Sequence, residues 1–306
     1  MAKKHIVILM GGLSAEREVS LASGEASAEA LENLGYKVTR LDVDHSLIQS
    51  LQNLNPDIVL NMLHGEYGED GIIQGILEYL QIAYSHSGVL SSALAMNKDL
   101  SKKIVSSADV TVAPSVVVNK NDLLKGDPLK RPYIIKPVLG GGSSVGVFLV
   151  ANDNENISDI INKANWKSDE QLLVEKYIPG RELTCAVMGN KSLGVCEIVD
   201  VNSKIYDYSA KYTTNGSKHI CPAKILPNIY EQIEIMSVNA HIALGCRGIS
   251  RSDFRFNEDT GELIWLELNS QPGMTKTSLV PDIAKAAGIS FSELLEWMVE
   301  DASCRR

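Results

Sequence analysis

The chain has 306 residues, of which 44% are hydrophobic and 22% are charged, and its formal net charge is −9. This length predicts two or three domains with hydrophobic cores, and the acidic balance argues against nucleic-acid binding. No apolar run approaches the roughly 20 residues that span a membrane, and the apolar run Ile6–Met10 is too short for a secretory signal. We therefore expect a cytoplasmic protein that binds neither nucleic acid nor a membrane.

The cysteine pattern predicts reduced thiols. The five cysteines are odd in number, widely spaced and without a CxxC pair. Such a pattern is not that of a disulfide framework or a zinc site.

Residues 1–95 alternate strand and helix signals. Strands are expected at 6–10, 37–41 and 57–62, and helices are expected up to Leu34, before Gly35, and at 72–80. Strands separated by helices predict a parallel sheet, and hence a first α/β domain at 1–95.

The remainder of the chain predicts two α+β domains, at 96–180 and 181–306. In the first we expect a helix at 93–107, an apolar segment at 110–118, a hairpin with strands at 133–135 and 145–150, a helix at 157–164 and a strand in QLLVEKYI. In the second we expect antiparallel strands in RELTCAVMG and LGVCEIV, a mobile polar loop at 202–218, a helix at 229–244 and two strands around the turn 258–261. A last helix begins at the capping box formed by Ser290 and Glu293.

The segment KPVLGGGSSVG at 136–146 is the expected hairpin tip. Glycine leaves backbone N–H groups free to surround a phosphate, and Ser143 and Ser144 add hydroxyl donors. The lysine precedes the glycines, which differs from the P-loop pattern. By itself the segment is equally compatible with a flexible turn.

A second constellation lies in SRSDFRFN and LIWLELN. Strand alternation puts Arg251 and Asp253 on one face, and likewise Glu267 and Asn269. If the two strands pair, the resulting oxygen-rich cluster suits Mg²⁺, and Arg251 can stabilise charge on a transferring phosphoryl group. The alternative is a solvated face with an Arg251–Glu267 ion pair.

Three further segments admit both functional and structural interpretations. EKYIPGRE carries Glu175 and Glu182 beside a domain junction, where ligand clefts are common. Glu16 stands at the first strand-to-helix turn, where a carboxylate binds an ammonium or complements the helix dipole. QPGMTKTSLVP offers hydroxyls at a helix start, which ordinary capping also explains.

Taken in order, these segments resemble the D-alanine–D-alanine ligase family of ATP-grasp enzymes, which act in bacterial cell-wall synthesis. The resemblance spans the chain and rests on GGLSAEREVSL, LHGEYGEDGIIQG, SGVLSSALAMNKDLSK, KPVLGGGSSVG, VEKYIPGRELTCAV, YDYSAKY, RSDF and ELNSQPGMTKTSLVP. It implies a three-domain fold with an N-terminal parallel α/β domain and a nucleotide held between two antiparallel sheets.

The resemblance also implies roles for individual residues. The ATP site would comprise Lys98, Lys136, Gly141, Gly142, Ser144, Glu175, Lys176, Ile178, Glu182 and Lys211, with Glu175 facing the adenine amino group and Glu182 holding the ribose. The metal ligands would be Asp253, Glu267 and Asn269. The catalytic set would be Glu16, Ser143, Tyr212 and Arg251, and the substrate-binding set His64, Ser278 and Leu279.

The implied reaction joins two D-alanine molecules at the expense of ATP, with Mg²⁺, or Mn²⁺ in its place, and a homodimer is expected. YDYSAKY favours the dipeptide over D-alanyl-D-lactate, which remains an alternative product. An ATP-binding protein without catalysis is a further alternative, whereas GGLSAERE lacks the glycine spacing of dinucleotide-binding oxidoreductases. Two departures from the family pattern are the run Gly140–Gly142 and the segment Asn269–Pro272.

Overall fold

The structure is a computed structural model that describes residues 4–140, 146–164, 166–167, 169–200, 217–275 and 277–305. Within these ranges the strands form three sheets, one parallel and two antiparallel. The expected combination of α/β and α+β architecture is therefore confirmed. None of the helices in these ranges has both the length and the hydropathy needed to cross a bilayer.

The first sheet is parallel, with the strand order β2-β1-β3-β4. Its strands are β1 (His5–Met10), β2 (Lys37–Asp42), β3 (Ile58–Asn61) and β4 (Ala83–Tyr84). The helices among them are α1 (Arg17–Asn33), α2 (Leu47–Leu54) and α3 (Ile72–Leu80). Alternate side chains of β1 enter separate hydrophobic clusters, Ile6 and Ile8 on one face and Val7 and Leu9 on the other. Burial on both faces explains why β1 is apolar throughout.

The second sheet is antiparallel, with the order β5-β8-β6-β7. Its strands are β5 (Ser115–Asn119), β6 (Tyr133–Pro137), β7 (Phe148–Val150) and β8 (Gln171–Lys176). The short helices α6 (Lys120–Leu123) and α7 (Ile157–Lys163) belong to the same region. Strands β6 and β7 pair as the expected hairpin, with Tyr133 opposite Val150.

The third sheet is antiparallel, with the order β11-β10-β9-β12-β13. Its strands are β9 (Arg181–Met188), β10 (Lys191–Asp200), β11 (Ser217–Ile220), β12 (Ile249–Asn257) and β13 (Glu262–Asn269). The helices that follow in this region are α8 (Pro227–Ala243), α9 (Leu279–Ala286) and α10 (Phe291–Asp301). Helix α8 packs on one face of this sheet, while α9 and α10 share a core with the other face and with β1. The first and third sheets are thus joined through one hydrophobic cluster.

The helix expected at 93–107 is in fact two helices, α4 (Val89–Met96) and α5 (Lys98–Ser106). Asn97 separates them with an extended backbone, and its side chain accepts a hydrogen bond from the N–H of Leu100. Asparagine favours this capping position because its side chain replaces a missing intrahelical acceptor. The apolar pattern continues across the break, which concealed it, and the new start places Lys98 in the first turn of α5.

The polar loop expected at 202–218 ends earlier than predicted, because Ser217 and Lys218 already belong to β11. Residues 201–216 lie outside the described ranges.

The prediction that all cysteines are reduced is wrong, because Cys196 and Cys221 form a disulfide. Strands β10 and β11 pair with Glu197 opposite Ile220, so the next positions outward face each other with Cα atoms 4.5 Å apart. A separation of 25 residues hid this neighbour relation from the sequence. Cys185 and Cys246 are free and buried, and burial raises their thiol pKa values to about 11 and about 12.

Buried His241 of α8 makes folding stability depend on pH. Its Nδ1 shares a hydrogen bond of 2.7 Å with the hydroxyl of Ser250, and burial lowers its pKa from 6.5 to about 4. The unfolded chain therefore binds more protons between these values, and the free energy of unfolding falls as the pH drops from 6.5 to about 4.

We expect this loss to amount to about 3 kcal/mol at most. The variant His241→Asn keeps an acceptor for Ser250 and should remove this part of the pH dependence. Urea unfolding of parent and variant at several pH values measures it, and an identical fall in both proteins would contradict the assignment.

Candidate active site

The hairpin of β12 and β13 brings together the predicted metal ligands and the predicted catalytic arginine. Arg251 lies opposite Asn269, and Asp253 lies opposite Glu267. Since residues two apart on a strand share a face, all four side chains project from the same side of the hairpin up to the irregularity after Asp253. The predicted face is confirmed by this register.

Arg251 and Asp253 form a two-pronged ion pair in this cluster. The Nε and Nη2 atoms of Arg251 donate to the two carboxylate oxygens of Asp253 at 2.9 and 2.8 Å, and both side chains are about one-tenth exposed. The hydroxyl of Thr184, on the neighbouring strand β9, donates to Asp253 at 2.6 Å. These contacts fix the orientation of the carboxylate, as outer partners do for metal ligands.

The residues present fit a hard divalent cation. Asp253, Glu267 and Asn269 offer only oxygen atoms, the ligand type that Mg²⁺ prefers. The Asn269 Oδ1 atom accepts a backbone hydrogen bond of 2.9 Å from Gln271, which orients the amide. In the described residues, no group of three or more His, Cys, Asp or Glu side chains is arranged to hold a metal. The predicted set contains two carboxylates and an amide, and its role as a metal site remains a prediction.

A second cluster surrounds Glu175 of β8. Lys136 of β6 donates to its Oε1 at 3.2 Å, and Lys102 of α5 donates to its Oε2. Burial acts to raise the pKa of Glu175, but the two lysines outweigh it and lower that pKa. Burial likewise acts to lower the pKa of Lys136, but the charges of Glu175 and then Glu267 raise it. Lys136 of the second sheet therefore lies within electrostatic reach of a carboxylate of the third.

Lys98 is tied to the start of the glycine segment. Its Nζ donates to the carbonyl of Gly140 at 3.0 Å, and its backbone N–H donates to the carbonyl of Val138. Gly140 has φ 95°, a left-handed conformation that glycine adopts without strain. Buried Lys98 and Lys136 thus lie at the start of the segment that the sequence predicted to surround phosphates.

Two residues of the predicted ATP site, Ile178 and Glu182, meet at Arg255. This arginine donates to the carbonyl of Ile178 at 3.1 Å and to the carboxylate of Glu182 at 3.0 Å, and it lies over the ring of Tyr177. Ile178 and Glu182 are thereby held together. The side chain of Lys176 pairs with Glu262 at 2.8 Å near the surface, and the resemblance implies that Lys176 contacts the nucleotide through its backbone.

Glu16 and His64 lie on neighbouring loops after β1 and β3. Glu16 is buried, and a β-carbon placed on Gly65 would stand 2.8 Å from its Oε2 atom. His64 shares a hydrogen bond of 2.9 Å with Glu69, whose pKa is raised by burial. The Nε2 atom of His64 lies 3.3 Å from the hydroxyl of Ser23.

Leu279 is the first residue of helix α9, and Ser278 directly precedes it; a carboxylate site at this helix start remains a prediction from the resemblance. The Ser278 hydroxyl shares a hydrogen bond of 2.7 Å with the hydroxyl of Thr275. A β-carbon on Gly273 would stand 3.0 Å from the Ser278 hydroxyl and 3.9 Å from His64. The loop before α9 therefore lies directly against the loop that carries His64.

Gln271 joins the loops of the first and third sheets. Its side chain accepts a hydrogen bond of 2.6 Å from Asn61 and donates to the carbonyl of Leu63, and its backbone N–H binds Asn269. One residue thus links a predicted metal ligand to the loop of His64.

We expect Gln271→Leu to lower the free energy of unfolding by about 2 kcal/mol, because it leaves the buried amide of Asn61 and the carbonyl of Leu63 without these partners. We also expect kcat/KM to fall about tenfold, since small displacements of reacting groups slow catalysis. Gln49→Leu is the control, because its partner Asn53 is exposed on the same helix. Equal losses in the two variants would contradict the linking role.

Several predicted residues lie outside the described ranges and are not placed: Gly141, Gly142, Ser143, Ser144, Lys211 and Tyr212. Most of the others fall into four groups, around Glu175, Arg251, Arg255 and His64, whereas Lys98 contacts the start of the glycine segment and Lys176 pairs with Glu262. The Glu175 and Arg251 groups lie within electrostatic reach of each other, since Glu267 raises the pKa of Lys136. Gln271 joins the second group to the fourth.

Sequence reasoning missed the side chains that hold these groups in place: Thr184, Lys102, Arg255, Glu69 and Gln271. Lys102 had a usable signal, because it lies one helical turn after Lys98 and the pair shares a face of α5. The partners of the other side chains are set by strand register or loop packing, which spacing alone does not reveal.

Two antiparallel sheets, with buried Lys136 on one and an acidic hairpin on the other, form an ATP-grasp fold. The family model described as "D-ala D-ala ligase C-terminus" matches residues 104–300. The chain is 58% identical to D-alanine--D-alanine ligase B of Brucella melitensis, over 100% of this chain and 98% of that relative. This chain belongs to the D-alanine–D-alanine ligase family.

Solved structures agree with this assignment. The D-alanine--D-alanine ligase of Bacillus anthracis complexed with ATP is 32% identical, with a TM-score of 0.82 over 98% of this chain and 97% of that one. The VanG D-Ala:D-Ser ligase of Enterococcus faecalis is 31% identical, with a TM-score of 0.79 over 97% of this chain and 99% of that one.

Proposed function

We propose that this chain joins two D-alanine molecules into D-alanyl-D-alanine, with ATP converted to ADP and phosphate, as a step in peptidoglycan precursor synthesis. The observation that carries the proposal is the hairpin face of Arg251, Asp253, Glu267 and Asn269 within electrostatic reach of Lys136. Family membership supports the same reaction.

The reaction needs activation because a carboxylate has no good leaving group. A carboxylate oxygen of the first D-alanine attacks the γ-phosphorus of ATP, which forms an acyl phosphate and releases ADP. The neutral amine of the second D-alanine then attacks the acyl carbon, the amine loses a proton, and inorganic phosphate leaves with that carboxylate oxygen. Catalysis of phosphoryl transfer rests mainly on positioning and electrostatics.

Each group of residues has a place in this scheme. Lys98 and Lys136 bind phosphates, Glu175 accepts from the adenine amino group, and the backbone of 176–178 and Glu182 bind the base and ribose. Arg251 stabilises charge on the transferring phosphoryl group and then on the tetrahedral oxyanion. Asp253, Glu267 and Asn269 would hold Mg²⁺, or Mn²⁺, which supplies charge neutralisation at the phosphates.

The N-terminal loops and α9 would bind the two amino acids. Glu16, a buried carboxyl side chain, suits the ammonium of the first D-alanine, with His64 on the neighbouring loop. Ser278 and the N–H of Leu279 suit the carboxylate of the second, because the start of a helix favours an anion. The roles of Ser143 and Tyr212 at the first site, and of Gly141, Gly142, Ser144 and Lys211 at the phosphates, rest on the resemblance alone.

The division into domains at 1–95, 96–180 and 181–306, the homodimer and the cytoplasmic location are part of the same proposal. Each of the three proposed domains contains one of the three sheets, which supports the boundaries. The acidic composition supports partners that are small molecules instead of nucleic acid.

The second substrate is the open point of specificity, because a structural relative is described as a D-Ala:D-Ser ligase. We propose that the second substrate is D-alanine. One alternative is a ligase that takes D-lactate as the second substrate, and another is an ATP-binding protein without catalytic activity. ADP release coupled to product analysis tests all three. With D-alanine, D-lactate or D-serine offered beside D-alanine across pH 6 to 9, we expect the dipeptide as the main product. A depsipeptide as the main product, or no ADP release with D-alanine, would contradict the proposal.

A further inference from the structure

Lys102 is a buried cation for which the proposed reaction has no use. It lies on α5 with a side chain only 4% exposed, and its ammonium donates to Glu175, which is 3% exposed. Such a group is costly to bury unless a partner compensates its charge. The Glu175 carboxylate is that partner, so a role for Lys102 is to be sought at this carboxylate.

Helix α5 supplies two lysines with different destinations. Lys98 and Lys102 stand one turn apart and are both buried. Lys98 donates to the carbonyl of Gly140 at the glycine segment, whereas Lys102 donates to Glu175. Helix α5 thus directs Lys98 to the glycine segment and Lys102 to the carboxylate of Glu175 on β8.

Glu175 also pairs with Lys136, which the proposed function assigns to phosphate binding. Lys136 donates to its Oε1 at 3.2 Å, but Lys136 also feels the charge of Glu267 on the predicted metal hairpin. In the proposed reaction Lys136 contacts phosphate instead, which would free the Oε1 atom of Glu175 from this donor. Lys102 then remains on Oε2 and keeps the carboxylate ionised and fixed in direction.

The chemistry of an ionised carboxylate selects among purines. A carboxylate without a proton only accepts hydrogen bonds, so its freed oxygen attracts the 6-amino group of adenine. The 6-oxo group of hypoxanthine or guanine is an acceptor as well, and two acceptors facing each other in a buried site are unfavourable.

We propose that Lys102 is a positioning residue that gives the nucleotide site its preference for a 6-amino purine, by holding Glu175 as a fixed anionic acceptor. This inference rests on the proposed function, which places Glu175 opposite the adenine amino group.

The test is calorimetric titration of the full chain with Mg²⁺–ADP and Mg²⁺–IDP, without D-alanine. We expect the parent to bind ADP more tightly than IDP. We expect Lys102→Met to reduce the ratio of the IDP dissociation constant to the ADP dissociation constant about tenfold or more, the usual range for one hydrogen bond to a charged group. Lys103→Met is the matched control, because Lys103 is the next residue on α5, is 67% exposed and pairs with Asp99. It should keep the parent ratio.

A double variant separates positioning from general damage. In a Glu175→Gln background, Lys102→Met should change the ratio of the IDP and ADP dissociation constants by less than about twofold. The reason is that the effects of residues that act through one another are not additive. If thermal unfolding shows that Lys102→Met does not fold, Lys102→Arg replaces it and should lower the preference for ADP over IDP below that of the parent, by less than tenfold.

The outcomes separate this inference from the proposed reaction. A folded Lys102 variant with the parent ratio, or an undiminished effect in the Glu175→Gln background, would overturn the role of Lys102 alone. Binding of neither nucleotide by the parent would overturn both proposals. Base selection as expected, without dipeptide formation in the coupled assay, would support Lys102 and overturn only the reaction.

Discussion

Glu267→Gln is expected to lower kcat for dipeptide formation by about a thousandfold, because loss of the charge of a proposed metal ligand removes several kcal/mol of electrostatic stabilisation from phosphoryl transfer. Glu267 lies opposite Asp253 in the hairpin and influences Lys136 of the other sheet. The substitution keeps the shape of the side chain and removes only its charge.

Stability should respond far less than activity. Glu267 is only partly buried, so we expect the free energy of unfolding to change by no more than about 1 kcal/mol. Glu258→Gln is the control, because Glu258 lies in the turn of the same hairpin and pairs at the surface with Arg181. Steady-state kinetics and urea unfolding of both variants decide the matter. A large loss of stability with activity retained would show that Glu267 is a structural ion-pair partner.

Arg251→Lys is expected to reduce kcat about a hundredfold or more, with a smaller effect on KM for ATP. Arg251 uses Nε and Nη2 together on the carboxylate of Asp253, a geometry that a single ammonium does not reproduce. Its guanidinium is also the proposed donor to the oxyanion, and removal of one such donor commonly lowers kcat by factors of about 10² to 10³.

The same substitution at Arg181 provides a matched control. Arg181 binds Glu197 through Nε and Nη2 at 2.7 and 2.5 Å, also in the third sheet, but outside the four groups of the candidate site. Arg181→Lys should therefore keep kcat within about twofold while losing a similar ion pair. Equal losses of kcat in the two variants would contradict a catalytic role for Arg251.

Local patterns predicted much of the fold because they depend on near neighbours. The alternation in SRSDFRFN and LIWLELN predicted the shared face that the register of Arg251 with Asn269 confirms. The capping box at Ser290 and Glu293 forms as expected, with both reciprocal hydrogen bonds. Here the sequence signal and the physical cause lie within a few residues of each other.

The features that the sequence did not predict are set by distant neighbours or by competing local signals. Lys102 and Glu175 are 73 residues apart, and Asn61 and Gln271 are 210 residues apart. The Cys196–Cys221 disulfide follows from strand pairing that composition does not encode. The apolar pattern continues from α4 into α5, but Asn97 caps the start of α5 and separates the two helices.

The formation of an acyl phosphate is tested most directly with D-alanine labelled with oxygen-18 in both carboxylate oxygens. In the proposed reaction the phosphoryl group is transferred to one of those oxygens, which leaves with phosphate when the amine attacks. Mass spectrometry of the released phosphate should therefore find one labelled oxygen for each dipeptide formed. Unlabelled phosphate accompanying dipeptide, or phosphate release that continues without D-alanine, would contradict the account.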